Sequence, residues 1–180
     1  MIILASRSKA RRILFRKCVH NFVAKISNAN EERVDNETLD EYLERVTYLK
    51  ARPFIKSGAT VVSADTVIFF NGKIVGKAKD ERDAFGMLKM LSGNFHQCIT
   101  GVTIINRYKY KFFIDGTLLY MDKLSNREIL NYLKCGEYKH KSGSYSIQGR
   151  ASGFLKIVNG EIDTVIGLPV KKICRLYKTL

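Results

Sequence analysis

The sequence predicts an α/β protein with a mixed β-sheet flanked by helices, and three observations carry that prediction. Short apolar runs with strand character alternate along the chain with stretches of helical period. Two Asn-Gly pairs, Asn71-Gly72 and Asn159-Gly160, each follow an apolar run and signal tight antiparallel hairpins, because a type I′ turn needs positive φ at both central residues. The helices between other strands provide crossovers, so the sheet is expected to be mixed rather than purely parallel. With no internal repeat and no long linker, residues 1–180 are expected to form a single domain.

The elements follow in order. Ile2, Ile3 and Leu4 read as a strand. Ser8 is a natural N-cap for a helix whose apolar stripe is Ala10, Ile13, Leu14 and Cys18. Residues 28–36 are polar and acidic, a loop. Thr38 and Glu41 have capping-box spacing and open a second helix with Leu39, Tyr42, Leu43, Val46 and Leu49 on its apolar face; Pro53 ends it. Val61–Val62 and Val67–Phe70 read as two apolar runs split by Ser63-Ala64-Asp65-Thr66, followed by the Asn71-Gly72 turn and Ile74–Val75. A third helix is expected near Asp80, with Ala84, Met87, Leu88 and Leu91 inward and Gly93 past its end. Residues 96–105 and 111–120 look like a long antiparallel pair around a polar turn at Asn106–Lys109. Ser125 and Glu128 form another capping box, with Leu124 placed as a hydrophobic staple, for a helix that stops at Gly136. Phe154–Val158, Asn159-Gly160 and Ile162–Ile166 read as a second hairpin, and Pro169 falls at the first position of a last helix.

Composition excludes several classes. The chain has 180 residues, 46% of them hydrophobic, which rules out wholesale disorder. No apolar run approaches the roughly 18 residues of a membrane span. Lys plus Arg is 31 against 17 for Asp plus Glu, a net charge of +14. That excess suits anionic partners, although generally basic surface composition also accounts for it. Arg7, Lys9, Arg11, Arg12, Arg16, Lys17 and Lys25 meet no acidic residue within residues 1–25. An organelle transit peptide is disfavoured, because that stretch reads as an integral strand and helix. Cys18, Cys98, Cys135 and Cys174 are widely spaced and none is in CxxC spacing, so four reduced thiols in a cytoplasmic protein are expected, with no zinc site.

The chemistry-bearing residues are few. Asp65 lies between two apolar runs, where a carboxylate needs a cation, donors or a metal, unless it merely ends a strand and turns to solvent. Glu31 and Glu32 sit in the acidic loop as second candidates for metal ligation. The strand-turn-helix around Ser6 and Ser8, with Arg11 and Arg12 following, offers backbone N–H groups at a helix N-terminus as a phosphate cradle, though without the glycines of a Walker sequence. Lys77 follows Gly76 after a hairpin strand, and Lys50 lies near a helix C-terminus, where a cation also simply complements the dipole. His96 has no Ser or Cys partner at a hydrolase spacing and reads as structural. Tyr108–Phe113 interleaves aromatics with lysines but does not match an RNA-binding strand signature.

Taken together, six ordered blocks resemble the Maf family of nucleoside triphosphate pyrophosphatases. They are Leu4-Ala5-Ser6-Arg7-Ser8 with Arg11; Ser63-Ala64-Asp65-Thr66-Val67; Ile74-Val75-Gly76-Lys77; Met87-Leu88 to Leu91-Ser92-Gly93 with His96 and Thr100-Gly101-Val102; Lys141 to Gly149; and Val165-Ile166-Gly167-Leu168-Pro169. The resemblance implies an elongated mixed sheet with helices, in two lobes around a cleft, similar in shape to inosine triphosphate pyrophosphatases. It implies hydrolysis of a nucleoside triphosphate to the monophosphate and pyrophosphate with Mg²⁺ or Mn²⁺, in the cytoplasm, in a house-cleaning or cell-division-arrest role. It further implies a homodimer and no nucleic-acid or membrane partner. By motif, Asp65, Glu31, Lys77 and Gln148 are the catalytic positions, with Asp65 the proton acceptor. Ser8, Arg11, Arg12 and Lys50 are the substrate positions, and Asp65 and Glu31 the metal ligands. The chain departs from the family pattern at Ala10, with Arg12 as the nearby replacement, and at Asn30 and Ala78. Ile147-Gln148-Gly149 resembles the branch acting on dTTP and UTP, whereas Ala10-Arg11-Arg12 resembles the branch acting on 7-methyl-GTP. The competing class is a non-enzymatic nucleic-acid-binding or regulatory protein on the same scaffold.

Overall fold

The computed structural model describes residues 1–177, except for the side chains of Lys56 and Ser57. Seven strands form one mixed sheet: β1 (Ile2–Ala5), β2 (Val23–Lys25), β3 (Thr60–Phe70), β4 (Lys73–Val75), β5 (Phe95–Ile105), β6 (Tyr110–Met121) and β7 (Leu155–Asn159). Their order is β2-β1-β3-β5-β6-β7, with β4 paired to β3. β1 runs parallel to both β2 and β3, with Leu4 opposite Ala24 and Val62, while β4 pairs antiparallel with β3 and β7 with β6. The helices are α1 (Lys9–Arg16), α2 (Leu39–Ala51), α3 (Glu81–Leu91), α4 (Asn126–Leu133), α5 (Ile162–Ile166) and α6 (Val170–Tyr177). The expected mixed-sheet α/β fold is the one observed.

The contacts divide the chain into two compact units. The first comprises residues 1–66, 100–115 and 167–180; the second comprises 67–99 and 116–166. In the first, Ile3, Ala5, Ala51, Ala59, Val61 and Ile105 pack together, with Phe54 and Ile55 against them. In the second, Leu88, Leu91, Leu119, Met121, Ile129 and Leu133 belong to one core over which α3 packs against α4.

The helix starts fall where capping chemistry placed them. Ser8 accepts from the Arg11 amide, Thr38 and Glu41 form a reciprocal capping box, and so do Ser125 and Glu128. Asn71 and Gly72 have φ of 47° and 74°, as the hairpin turn requires.

Six expectations are corrected. First, Ser63-Ala64-Asp65-Thr66 does not split two strands; β3 runs unbroken through it, because the polar side chains find buried partners. Second, no strand was expected between the first two helices, whereas Val23–Lys25 forms β2; all three residues are exposed at the sheet edge and leave no periodic signal. Third, Ile13 is 62% exposed, and Leu14 and Phe15 form the buried face of α1 instead. Fourth, Cys18 and Cys174 are paired in a disulfide with Cα atoms 5.4 Å apart, leaving Cys98 and Cys135 as thiols. Spacing alone could not bring together residues 156 apart.

The fifth correction concerns Asn159-Gly160, which makes no second hairpin. β7 pairs with β6, and Ile162–Ile166 is α5, not a strand. The Thr117 hydroxyl decides this: it donates to the Glu161 carbonyl (2.9 Å) and accepts from the Glu161 amide (3.1 Å), turning the chain into a helix. The β-branched content of Ile162–Ile166 favours a strand, and tertiary context overrides it. Pro169 also stands one residue earlier than expected, its carbonyl accepting from Ile173 as α6 begins.

Gly160 has φ +112°, and a Cβ there would lie 2.8 Å from the Thr117 Cα and 3.0 Å from the Gly116 carbonyl oxygen. Both neighbours are backbone and cannot rotate away. Gly160→Ala is therefore expected to cost about 2 kcal/mol or more, read as a lower urea midpoint at unchanged slope.

Candidate active site

The first unit assembles its charged centre from α2, β3 and the acidic loop. The capping box sets where α2 begins and hence which residues face β3. Tyr42, Val46 and Lys50 recur every four residues on that face, and all three are buried. The Ser63 hydroxyl donates to the Thr47 carbonyl (2.6 Å), and Thr47 and Thr103 share a hydroxyl hydrogen bond of 2.7 Å, tying the helix to the sheet. Lys50 Nζ then donates to Asp65 Oδ1 at 2.6 Å and lies 3.0 Å from Glu31 Oε1. Lys50 is 8% exposed and Asp65 7%. The Tyr42 hydroxyl lies 3.2 Å from the Glu31 carbonyl and 3.5 Å from Asp65 Oδ2, so its one proton serves the nearer acceptor better. Burial, followed by the charges of Asp65 and Glu31, pushes the Tyr42 phenol well above its usual range and keeps it a neutral donor.

Burying an ion pair costs several kcal/mol per ion in order of magnitude, and apolar residues of similar volume often stabilise as well or better. A buried Lys50–Asp65 pair is therefore poor value as a core element and well suited to chemistry. Two carboxylates converge on one ammonium, an arrangement that fits a hard divalent cation as well, since such ions take oxygen ligands. Among the described residues no group of three or more His, Cys, Asp or Glu side chains is placed to hold a metal ion. Asp65 and Glu31 would thus supply only part of a coordination shell, leaving the remainder to water and phosphate oxygens, the usual Mg²⁺ pattern.

The turn before α1 is built from serines. Ser8 N donates to Ser6 Oγ, and Ser8 Oγ accepts from Arg11 N, both at 3.2 Å. The first turn of α1 carries no acidic residue, so no side-chain carboxylate offsets its positive N-terminal dipole. Arg11 points away from solvent. Its Nε donates to the Gly167 carbonyl (2.7 Å), Nη1 to the Ala64 carbonyl (2.8 Å) and Nη2 to Thr66 Oγ1 (2.9 Å). The guanidinium thus holds the Ala64 carbonyl on one side of Asp65 and the Thr66 hydroxyl on the other. Gly167, with φ +113°, lets it approach, since a Cβ there would stand 3.0 Å from Arg11 Nε. Arg12 is half-buried, and Arg7 and Lys9 are exposed.

The second unit holds the other predicted positions. Lys77 is exposed and bridges Ser142, and the Gly143 amide donates to the Gly76 carbonyl (3.0 Å). Gln148 is exposed in a turn closed by the Gly149 amide on the Ser146 carbonyl (3.0 Å). His96, expected from its sequence context to be structural, is 3% exposed, with Nε2 2.8 Å from the Tyr145 hydroxyl.

Residues 1–180 match the protein-family profile described as Maf-like protein. The chain belongs to the Maf family. Curated relatives of this Maf-family chain include proteins named dTTP/UTP pyrophosphatase. The one from Clostridium kluyveri is 36% identical over 180 residues, covering 96% of this chain and 93% of that protein. The Clostridium botulinum relative is 37% identical, covering 96% and 95%, and the Geobacillus relative 34%, covering 99% and 97%. Among solved structures, a Coxiella burnetii HAM1 protein aligns with a TM-score of 0.53 at 9% identity, covering 99% of this chain and 98% of that one. The Staphylococcus aureus Ham1 protein aligns at 0.50 and 16%, covering 75% and 96%. At such identities the likeness concerns the fold alone. No helix among the described residues is long and apolar enough to cross a membrane.

Sequence reasoning named Asp65, Glu31 and Lys50, and the structure brings them together. It missed Tyr42 as their neighbour, although Tyr42 and Lys50 stand eight residues apart on one helical stripe, a detectable signal. It also missed the Arg11 contacts to Ala64, Thr66 and Gly167, which span 156 residues and had none.

Two outcomes follow. Lys50→Met leaves Asp65 buried without its cation and is expected to cost about 3 kcal/mol at pH 7, read by chemical denaturation. Burial lowers the His96 pKa from 6.5 to about 4. The unfolded chain therefore binds a proton that the folded chain refuses as pH falls from 6.5 to 4, and stability drops over that window by about 3 kcal/mol. His96→Gln should lose correspondingly less between pH 7 and pH 4.

Proposed function

We propose that this Maf-family chain is a nucleoside triphosphate pyrophosphatase acting on dTTP and UTP, in the cytoplasm, with a divalent cation. The observation that carries the reading is the buried Lys50–Asp65 pair joined by Glu31. The curated names of relatives at about 36% identity over nearly the whole chain support the substrate choice.

In this reaction water attacks the α-phosphorus, the bond to the bridging oxygen of the β-phosphate breaks, and nucleoside monophosphate and pyrophosphate form. Asp65 takes the proton from the attacking water at a carboxylate oxygen. Its orientation is set by Lys50 on Oδ1 and by the Arg11 grip on Ala64 and Thr66. Fixed in this way, the carboxylate need not reorganise as the reaction proceeds, and preorganisation of this kind is a large share of enzymatic rate enhancement. The N-terminus of α1, with Ser8 at its cap and Arg12 beside it, offers positive potential to phosphate oxygens. Lys77 and Gln148 are carried over from the family motif as further substrate contacts. A divalent cation held by Asp65 and Glu31 would polarise the phosphate and acidify a bound water.

The purified protein with Mg²⁺ is expected to release pyrophosphate from dTTP and UTP faster than from other canonical triphosphates or 7-methyl-GTP. Orthophosphate as the sole primary product would refute the cleavage site, and a preference for 7-methyl-GTP the substrate assignment. Asp65→Asn should retain the fold by circular dichroism and lose at least about a hundredfold in kcat.

A further inference from the structure

The turn that carries Gln148 is held at both ends by side chains with no assigned role. At one end the Tyr132 hydroxyl accepts from the Ser146 amide (3.1 Å). At the other, Glu137 Oε2 accepts from the Arg150 amide (2.9 Å). Arg150 opens a short 3-10 turn, Arg150–Gly153, whose first N–H groups have no partner within the turn, and a carboxylate is well suited to that place. Glu137 gets there because Gly136, with φ +72°, ends the α4 segment and turns the chain. Its carboxylate lies so close to Gly149 that a Cβ built on Gly149 would overlap it. A side chain at Gly149 has no room, because the space it would take is filled by the Glu137 carboxylate.

We propose that Glu137 is a positioning residue for this hydrolase, clamping the Ser146–Arg150 backbone so that Gln148 presents its amide in a fixed place. The inference rests on the proposed role of Gln148 in the reaction. The glycine and the carboxylate form one device. Gly149 makes room, the charge-assisted hydrogen bond to Arg150 fixes the end of the turn, and Tyr132 fixes its start. Gln148 itself is exposed and has no burial to hold it, so its placement depends on the backbone beneath it.

The test uses the full chain, pyrophosphate release from dTTP, and amide hydrogen exchange at Arg150. Glu137→Ala is expected to lower kcat about tenfold to a hundredfold with KM nearly unchanged, and to speed exchange of the Arg150 amide. Glu137→Gln keeps an acceptor oxygen and should restore most of both. Gly149→Ala should impair kcat in the natural chain but add little to Glu137→Ala, because the group that its Cβ would strike is gone. Arg150 exchange that is unchanged in Glu137→Ala, full additivity of the two substitutions, or a glutamine variant as slow as the alanine one would each overturn the clamp. Gln148→Ala separates the two ideas. Full activity there would refute the site reading, whereas a slow Gln148→Ala beside a fully active Glu137→Ala would refute the positioning role alone. Melting temperatures of each variant exclude simple unfolding as the cause.

Discussion

A lysine and an aspartate, each more than nine-tenths buried, must meet at hydrogen-bond distance, and much of the first unit is arranged to let them. Neither charge could stay in that interior without the other. The pair in turn requires α2 to dock on β3 in one rotational phase, since a shift of a single residue would swing Lys50 by about 100° around the helix axis. The phase is held by the Thr38–Glu41 capping box at the start of α2 and by the Ser63, Thr47 and Thr103 hydrogen bonds along its length. Gly101 belongs to the same requirement: a Cβ there would stand 2.8 Å from the Leu43 side chain and hold the helix off the sheet.

Arg11 extends the constraint to distant parts of the chain. One guanidinium collects the carbonyls of Ala64 and Gly167 and the hydroxyl of Thr66, whose oxygen also meets Thr100 at 2.9 Å. The first turn of α1, the middle of β3 and the approach to α6 are thereby joined by one planar group with several donors, a geometry lysine could not supply, and Thr66 extends the link to Thr100 in the middle of β5. The disulfide between Cys18, just beyond α1, and Cys174, in α6, ties the same two regions of the chain a second time.

The second unit handles its polar segment differently. Residues 140–150 carry few apolar side chains, yet they run beside a core of Leu88, Met121, Ile129 and Leu133. Gly143 and Ser144 both have positive φ and are buried, a backbone shape with a real energetic cost for a serine. The compensation comes from outside the segment: Ser144 donates to the Met87 sulfur, Tyr145 meets His96, Ser146 meets Tyr132, and Arg150 meets Glu137. Strain held by surrounding contacts at a loop bearing a proposed substrate residue is the pattern expected of a functional site.

Local chemistry was enough to read most of this molecule. Three helix starts at Ser8, Thr38 and Ser125, the Asn71-Gly72 hairpin, the mixed sheet and the candidate residues Asp65, Glu31 and Lys50 all follow from side chains acting on their near neighbours or from the order of short motifs. What the tertiary structure alone decided is which long-range partner each polar group finds. Ser63-Ala64-Asp65-Thr66 stays inside a strand because Thr47, Lys50, Arg11 and Thr100 satisfy it from elsewhere. Ile162–Ile166 becomes a helix because Thr117, some 44 residues away, captures both backbone groups of Glu161. Periodicity and capping are properties of adjacent residues and leave a mark in the sequence. The desolvation cost of a buried polar group is met only when the folded chain delivers a partner, and nothing in the local sequence specifies where that partner will come from.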